Sequence, residues 1–488
     1  MKVFFYPLLA ATVIPCAFAD NIESASQTAQ ASPAPALAVP VVVNNNDKYI
    51  DKYAYIQNPY TGLPSQGGTQ NLTESQIANQ NVAEKWFSGG TWNVMGSASY
   101  VTLNGTSNYG YGANIFGQTG QVAGFSFGGL LTIINPAPIG PALGAANQDQ
   151  FLPTNQVILP TELFAEYQYK NIIQADVGRI AITNSPWLTQ AYYNNMLTPG
   201  MTYQGGLVNL NPGGGWLITA LGFNAALPIS ATSASNLTMY NSGFDYGTQT
   251  ANVSNATSQG TAAIGGTFYG LDNNYNLRIW GYHFGDYANL GYADNSLKLI
   301  VNKDTNFTLA AQGGYEHGVG PSLMATNGDG HIDSTFVGLQ AGMNYKWFGL
   351  NLGMNSIWGA GNDYLGGGIV SPYTYELATD PLYSTSYMMG MVEKAAGNAF
   401  KISPSFTFLD GNLAISPSYA YYATSSVPNS SEYDFIVSYN VQQVKGLSFI
   451  MNSAYLLQAP YIAPFSNNAG VSSTGNAYTV QVGANYLY

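Results

Sequence analysis

Gly124-Phe125-Ser126-Phe127-Gly128 has the Gly-x-Ser-x-Gly spacing with which serine hydrolases expose a nucleophile. That chemistry needs a sharp strand-to-helix turn to lift the serine hydroxyl toward a base. Here the motif runs straight on into Gly129-Leu130-Leu131-Thr132-Ile133, which reads as a glycine-rich strand. The three histidines, His283, His317 and His331, share no triad or metal-binding spacing. Asn327-Gly328-Asp329-Gly330-His331-Ile332-Asp333 has the texture of a calcium loop. With Gly330 at the glycine position, however, Ala325 stands where the first carboxylate belongs and Phe336 where the closing glutamate belongs. A polar loop ahead of the Phe336 strand is the expectation, with no metal and no cofactor. The single cysteine, Cys16, falls in a segment expected to be removed, which excludes disulfides and thiol chemistry in the mature chain. The chain is not expected to be an enzyme.

The remaining chemistry is electrostatic. Arginine occurs only at 179 and 278 in 488 residues, and charged residues make up 8% of the chain. Loss of Lys2 with the signal leaves one fewer than the 13 basic residues of the full chain against 25 acidic ones, so nucleic acid is an improbable partner. The charges that do occur fall on the polar side of alternating segments. Leu163, Ala165, Tyr167 and Tyr169 oppose Phe164, Glu166, Gln168 and Lys170. Val337, Leu339, Ala341, Met343, Tyr345 and Trp347 oppose Gly338, Gln340, Gly342, Asn344 and Lys346. Tyr433, Phe435, Val437 and Tyr439 oppose Asp434, Ser438 and Asn440. Arg179 closes the segment Ile173 to Arg179 and follows Asp176, so it lines a pore near a rim or pairs with Asp176. Arg278 lies in Tyr275 to Phe284, where both faces carry aromatics and neither is marked as the polar one. Glu166, Lys170, Asp176, Arg179, Arg278, Lys346 and Asp434 are the candidate pore-lining residues, and their balance is sparse and mildly acidic. Such a field favours cations or neutral solutes over anions.

These faces belong to strands, because side chains alternate with period two. The last twelve residues, Ala477 to Tyr488, alternate almost without fault and end on an aromatic. A closed sheet is the one β structure that satisfies its backbone inside a bilayer, and terminal aromatics mark the interface girdle. With 55 Gly, 37 Tyr and 22 Phe, the hydrophobicity is spread rather than gathered into spanning helices. Met1-Lys2, the apolar run Val3 to Phe18 and Ala17-Phe18-Ala19 predict a cleaved signal over 1–19. Residues 20–47 read as a flexible Ala/Pro/Ser-rich leader. Residues 48–90 read as a periplasmic or barrel-mouth segment, with one short helix over Glu74 to Trp86. From there 91–488 would form an all-β transmembrane antiparallel barrel of about 16–18 strands, 18 favoured, at roughly 22 residues per strand. A barrel of that width leaves an aqueous channel.

Short turns such as Asp410-Gly411 should alternate with long loops between the two rims. Pro136 to Pro160 and Ser185 to Gly215 are the expected inward-folded loops, being too long for tight turns. The strand ending at Tyr488 should close against the first strand near Trp92, and would be the segment handed to the barrel-assembly machinery. Outer-membrane lipid and lipopolysaccharide would surround the barrel, and a homo-oligomer stays open.

Several segments resemble the OprD-like porins and the related major outer membrane protein porins. They are Val177-Gly178-Arg179 followed by Ser185-Pro186-Trp187 and Met196 to Gly205, the aromatic strand Leu277 to Tyr287, and Glu432 to Ser453 with its turn Lys445-Gly446-Leu447-Ser448. The resemblance implies an 18-stranded porin, a passive diffusion channel in the outer membrane for small hydrophilic nutrients, in some members carboxylates or amino acids. In that family a ladder of inward arginines selects carboxylates, whereas this chain keeps only Arg179 at a matching motif. A surface adhesin or receptor built on the same barrel, and an outer-membrane hydrolase using Ser126, are the competing readings. The low charge also suits an acidic medium, in which carboxylates lose charge near their ordinary pKa.

Overall fold

The alternating segments become strands β1 Thr91–Leu103, β2 Thr106–Gln118, β3 Phe125–Ala137, β4 Val157–Tyr169, β5 Ile173–Ile180, β6 Thr202–Gly213, β7 Trp216–Leu227, β8 Thr261–Gly270 and β9 Tyr275–Phe284. They continue as β10 Ala288–Asn302, β11 Thr305–Gly318, β12 Asp333–Tyr345, β13 Phe348–Gly359, β14 Gly397–Phe408, β15 Leu413–Thr424, β16 Ser430–Asn440, β17 Leu447–Leu457 and β18 Ala477–Leu487. The computed structural model describes residues 90–103, 106–137, 156–170, 172–182, 184–188, 201–227, 234, 260–319, 331–363, 366–373, 380–392, 396–425, 429–458 and 476–487. The expected signal, leader and helix up to residue 89, most of the 136–160 connection, the centre of the calcium-like loop and Tyr488 lie outside these residues.

Each strand pairs antiparallel with the next, and β1 also pairs with β18 from Met95↔Leu487 to Leu103↔Thr479. The sheet therefore closes with 18 strands, the favoured number, and the strand beginning at Thr91 meets the C-terminal one as expected. Connections at one rim are short: 170–172, 214–215, 271–274, 303–304, 346–347, 409–412 and 441–446. The long ones, 138–156, 181–201, 228–260, 319–332, 360–396 and 458–476, all leave the other rim. This is the asymmetry of outer-membrane barrels, with short turns toward the periplasm. In the 409–412 turn, Leu409, Asp410 and Gly411 all have positive φ.

The two faces separate cleanly. Tyr478, Val482 and Tyr486 are exposed on the outside of β18, while Thr479 and Gln481 are buried on the inside. In β12 Val337, Leu339 and Tyr345 point out, and in β16 Tyr433 and Phe435 do so. No helix among the described residues is long and apolar enough to cross a membrane.

The barrel has a hydrophobic core inside its lumen. Trp187, Tyr203, Tyr282, Tyr292, Phe336 and Tyr373 form one continuous buried cluster with Met388, Met389 and Met391. The wall supplies Tyr203, Tyr282, Tyr292 and Phe336; the connections supply the rest.

The face assignment predicts a contrast between neighbours on β12. Leu339→Lys, outward and 55% exposed, should lose about 2–4 kcal/mol on urea unfolding in lipid vesicles. Gln340→Lys, turned inward, should lose much less; equal losses would show the faces to be misassigned.

Candidate functional site

The connection 360–396 between β13 and β14 folds back into the barrel. Ile369, Val370, Ser371, Ser384, Met388, Met389 and Met391 are all at most 1% exposed. A peptide segment placed there loses water from its amides and carbonyls, and each must find another partner. The wall supplies them. The Val370 amide donates to Glu316 Oε2 (2.7 Å), and Ser334 Oγ donates to the carbonyls of Gly367 (3.0 Å) and Gly368 (2.7 Å). Gln312, turned so that its amide nitrogen donates to the Pro381 carbonyl (3.1 Å), accepts from the Tyr383 amide (2.9 Å). Asn355 Oδ1 accepts from the Ser384 amide (2.9 Å). Lys401 Nζ donates to the Thr385 carbonyl (2.6 Å), and Tyr422 Oη to the carbonyls of Ser384 and Met389 (2.9 Å each).

The seat ends on β16 and β18. Glu432 Oε1 accepts from the Met388 amide (2.6 Å), and Asp434 Oδ2 accepts from the Tyr387 amide (3.3 Å) and from Ser418 Oγ (2.7 Å). Tyr387 Oη donates to Gln481 Oε1 (2.9 Å). Within the segment, Asp380 accepts from the amides of Leu382 (3.0 Å) and Val392 (3.3 Å). Burial pushes the Asp380 carboxyl up from its ordinary value, against the pull of those amides.

A second, shorter stretch also turns inward. Ser185 Oγ lies 2.9 Å from Tyr282 Oη, and Tyr203 Oη donates to the Leu188 carbonyl (3.0 Å). Trp187 packs edge-on against Tyr292 and Phe336, with ring centroids 6.0 and 5.7 Å apart. Of the two expected inward loops, Ser185 to Gly215 contributes its start among the described residues, and its end is strand, because Thr202–Gly213 is β6. Among the described residues, the 360–396 connection makes the main inward fold. Its signal was legible: Met388-Met389-Gly390-Met391-Val392 is too apolar for a loop facing water.

Glu166 and Asp176 sit on the inner wall as direct partners across β4 and β5. Glu166 Oε1 accepts from Gln118 Nε2 and Ser126 Oγ (3.1 Å each). Gln174 Nε2 bridges Glu166 Oε2 and Asp176 Oδ2 at 3.1 Å each. All these donors are neutral, and Asp176 Oδ1 has no hydrogen-bond partner. Ser126 is fully buried in β3, held in strand rather than on a nucleophile turn.

Arg278 points inward and forms an ion pair with Asp294 across β9 and β10. Its Nε donates to Asp294 Oδ1 at 2.8 Å, and Tyr292 Oη donates to Asp294 Oδ2 at 2.6 Å. Asp434 is also inward, but its carboxylate is occupied with the folded-in segment.

Three candidates lie elsewhere than the sequence suggested. Arg179 is the register partner of Leu163 on one side and of Gln204 on the other, both on the outer face, and its Nη1 donates to the Pro160 carbonyl (2.7 Å). It is therefore an outer-rim group. Lys170 and Lys346 occupy turns with φ near +50°, each with its ammonium 5.3 Å from the ring centre of the preceding tyrosine. Alternation stops where the strand stops, so extending it one residue into a turn misplaces both. The residues missed were Glu316, Gln312, Asn355, Lys401, Tyr422 and Glu432, because alternation along a strand does not mark which wall residues a distant connection will reach.

Neither a family model nor a curated protein matches the chain, and similarity emerges only among solved structures. The outer membrane protein OpdK of Pseudomonas aeruginosa superposes with a TM-score of 0.64 at 14% identity, covering 83% of this chain and 99% of its own. OccD3 (OpdP) from the same organism gives 0.64 at 14% identity, over 87% and 95% of the two chains. OccK2 (OpdF), solved in complex with glucuronate, gives 0.60 at 13% identity over 82% and 98%. These neighbours are porins of the OprD/Occ family, and the fold here is theirs: a closed antiparallel barrel of the outer-membrane type.

The seat depends on a glycine. A Cβ on Gly353 of β13 would lie 2.3 Å from the Tyr383 carbonyl oxygen, so Gly353→Val should lift the 380–392 segment. Chymotrypsin should then cut near Tyr383 and Tyr387 at least about tenfold faster in micelles, a loss of about 1.4 kcal/mol of seating. Gly281→Val, outward with nothing within 4 Å, should cleave at the original rate.

Proposed function

We propose that the protein is an outer-membrane porin, a passive channel for small hydrophilic solutes that admits neutral and cationic species in preference to anions. A barrel of 18 strands is too wide for its own wall side chains to fill. The inward segments narrow it, which suits a diffusion channel with a constriction. The observation that carries the charge preference is the sign of the wall. Its inward strand residues include Glu162, Glu166, Asp176, Asp294, Glu316, Glu432 and Asp434, against Arg278, Lys298 and Lys401. Arg278 is already neutralised by Asp294. Glu166 and Asp176 are half-buried side by side and held only by neutral donors, so the pair keeps net negative charge toward whatever passes.

Selection of carboxylates by an arginine ladder does not suit this wall. The glucuronate bound in OccK2 is therefore a poor guide to the solute here. Neutral sugars, small amides and ammonium compounds fit better, because a channel lined by one sign of charge concentrates the opposite sign.

Purified barrel in planar bilayers should give ohmic steps whose reversal potential under a salt gradient indicates cation preference. Glu166→Gln with Asp176→Asn should move that potential toward zero with little change in conductance. Anion preference in the original protein would overturn the charge reading, and the absence of current from folded barrel would overturn the porin itself.

A further inference from the structure

We propose that the segment Asp380–Val392 is a proton-held plug, seated at acid pH and loosened as pH rises. This rests on the channel reading only for its consequence, not for its geometry. The seat brings three carboxyls together in a dry place: Asp380 at 4% exposure, Glu432 at 0% and Asp434 at 5%. The charged or titratable groups facing them are Lys401 from β14, Tyr422 from β15, and Tyr387 from the segment itself. Among the described residues, one ammonium faces three carboxyls.

Full ionisation would leave net negative charge in a site with almost no water, which is costly unless protons are retained. The free lone pairs point the same way. Glu432 Oε2 and Asp434 Oδ1 are buried without hydrogen-bond partners, and the two side chains are neighbours two residues apart on the inner face of β16. A proton on Glu432 Oε2, donated to Asp434 Oδ1, satisfies both atoms at once. The other two oxygens, Glu432 Oε1 and Asp434 Oδ2, meanwhile accept the amides of Met388 and Tyr387, which a protonated carboxyl still does through its carbonyl oxygen.

The sign follows from linkage. Carboxyls that hold protons more tightly when seated than when released favour the seat at low pH. That advantage is lost as pH climbs from the ordinary carboxyl range through the raised seated value. Asp380, pushed up by burial, contributes in this direction.

Amide hydrogen exchange on the full protein in micelles, corrected for the intrinsic pH dependence, reads the seat directly. Protection at Tyr387 and Met388 should fall about tenfold between about pH 4 and about pH 8, the effect of one carboxyl that binds its proton about tenfold more tightly when seated than when released. Bilayer conductance relative to bulk conductivity should rise over the same interval. Glu432→Gln with Asp434→Asn should flatten both profiles. Lys401→Met, which removes that ammonium, should deepen the loss of protection, because the seated carboxyls then hold their protons more tightly. Flat protection in the original protein overturns the plug, as does an unchanged profile in either variant. Absence of current at every pH would sink the channel reading alone, because exchange still decides the plug.

Discussion

Every backbone amide and carbonyl removed from water must find a partner, and this molecule meets that requirement twice, by two different means. In the wall, strand pairs with strand all the way round, and the β1–β18 pairing removes the edge that would otherwise face lipid. Inside the lumen no sheet is available to the 360–396 connection. Its amides are therefore taken up by side chains of the wall: Glu316, Gln312, Asn355, Asp434 and Glu432 accept, while Ser334, Lys401 and Tyr422 donate.

That second solution determines what the charges can do. A carboxylate that accepts a main-chain amide is no longer an open site for a passing cation. Asp434 illustrates the point, since it faces inward but is committed to Tyr387 and Ser418. Arg278 is committed to Asp294 in the same way. Glu166 and Asp176 differ because their partners are neutral glutamines and a serine, which orient the carboxylates without cancelling them. The sparse charge of the chain thus divides into groups that hold the inward fold and groups that present a field.

Alternation made the wall legible. The outward aromatics of β12, β16 and β18 were readable because a period of two on one face, with charge on the other, has few explanations besides a strand at a lipid boundary. The strand count followed from length, and the alternating rims from Gly, Asn and Pro clusters. Reading failed where the period ended. Lys346 and Lys170 sit one residue past a strand, and Arg179 faced outward once its register with Leu163 was known. Arg278 was undecidable because Trp280, Tyr282 and Phe284 are as apolar as the outward residues beside them. They face inward as the floor for Trp187 and Tyr373, an arrangement that depends on contacts between residues far apart in the chain.

The inner aromatic floor explains why so wide a barrel tolerates a folded-in connection. Polar clamps alone hold a segment only weakly, because each hydrogen bond made on seating replaces one to water and nets about 0.5–1.5 kcal/mol. The methionines add what the clamps lack. Met388, Met389 and Met391 are nearly inaccessible and join the same cluster as Tyr282 and Phe336. Flexible thioethers fill irregular gaps between rings without demanding one geometry. The lumen therefore has two solvents: a dry, aromatic and methionine-packed side that fixes the plug, and a side around Glu166 and Asp176 whose polar groups remain half-open. Hydrophobic burial positions the plug, hydrogen bonds set its register, and the carboxyls left over from that task are the ones on which the proposed cation preference rests.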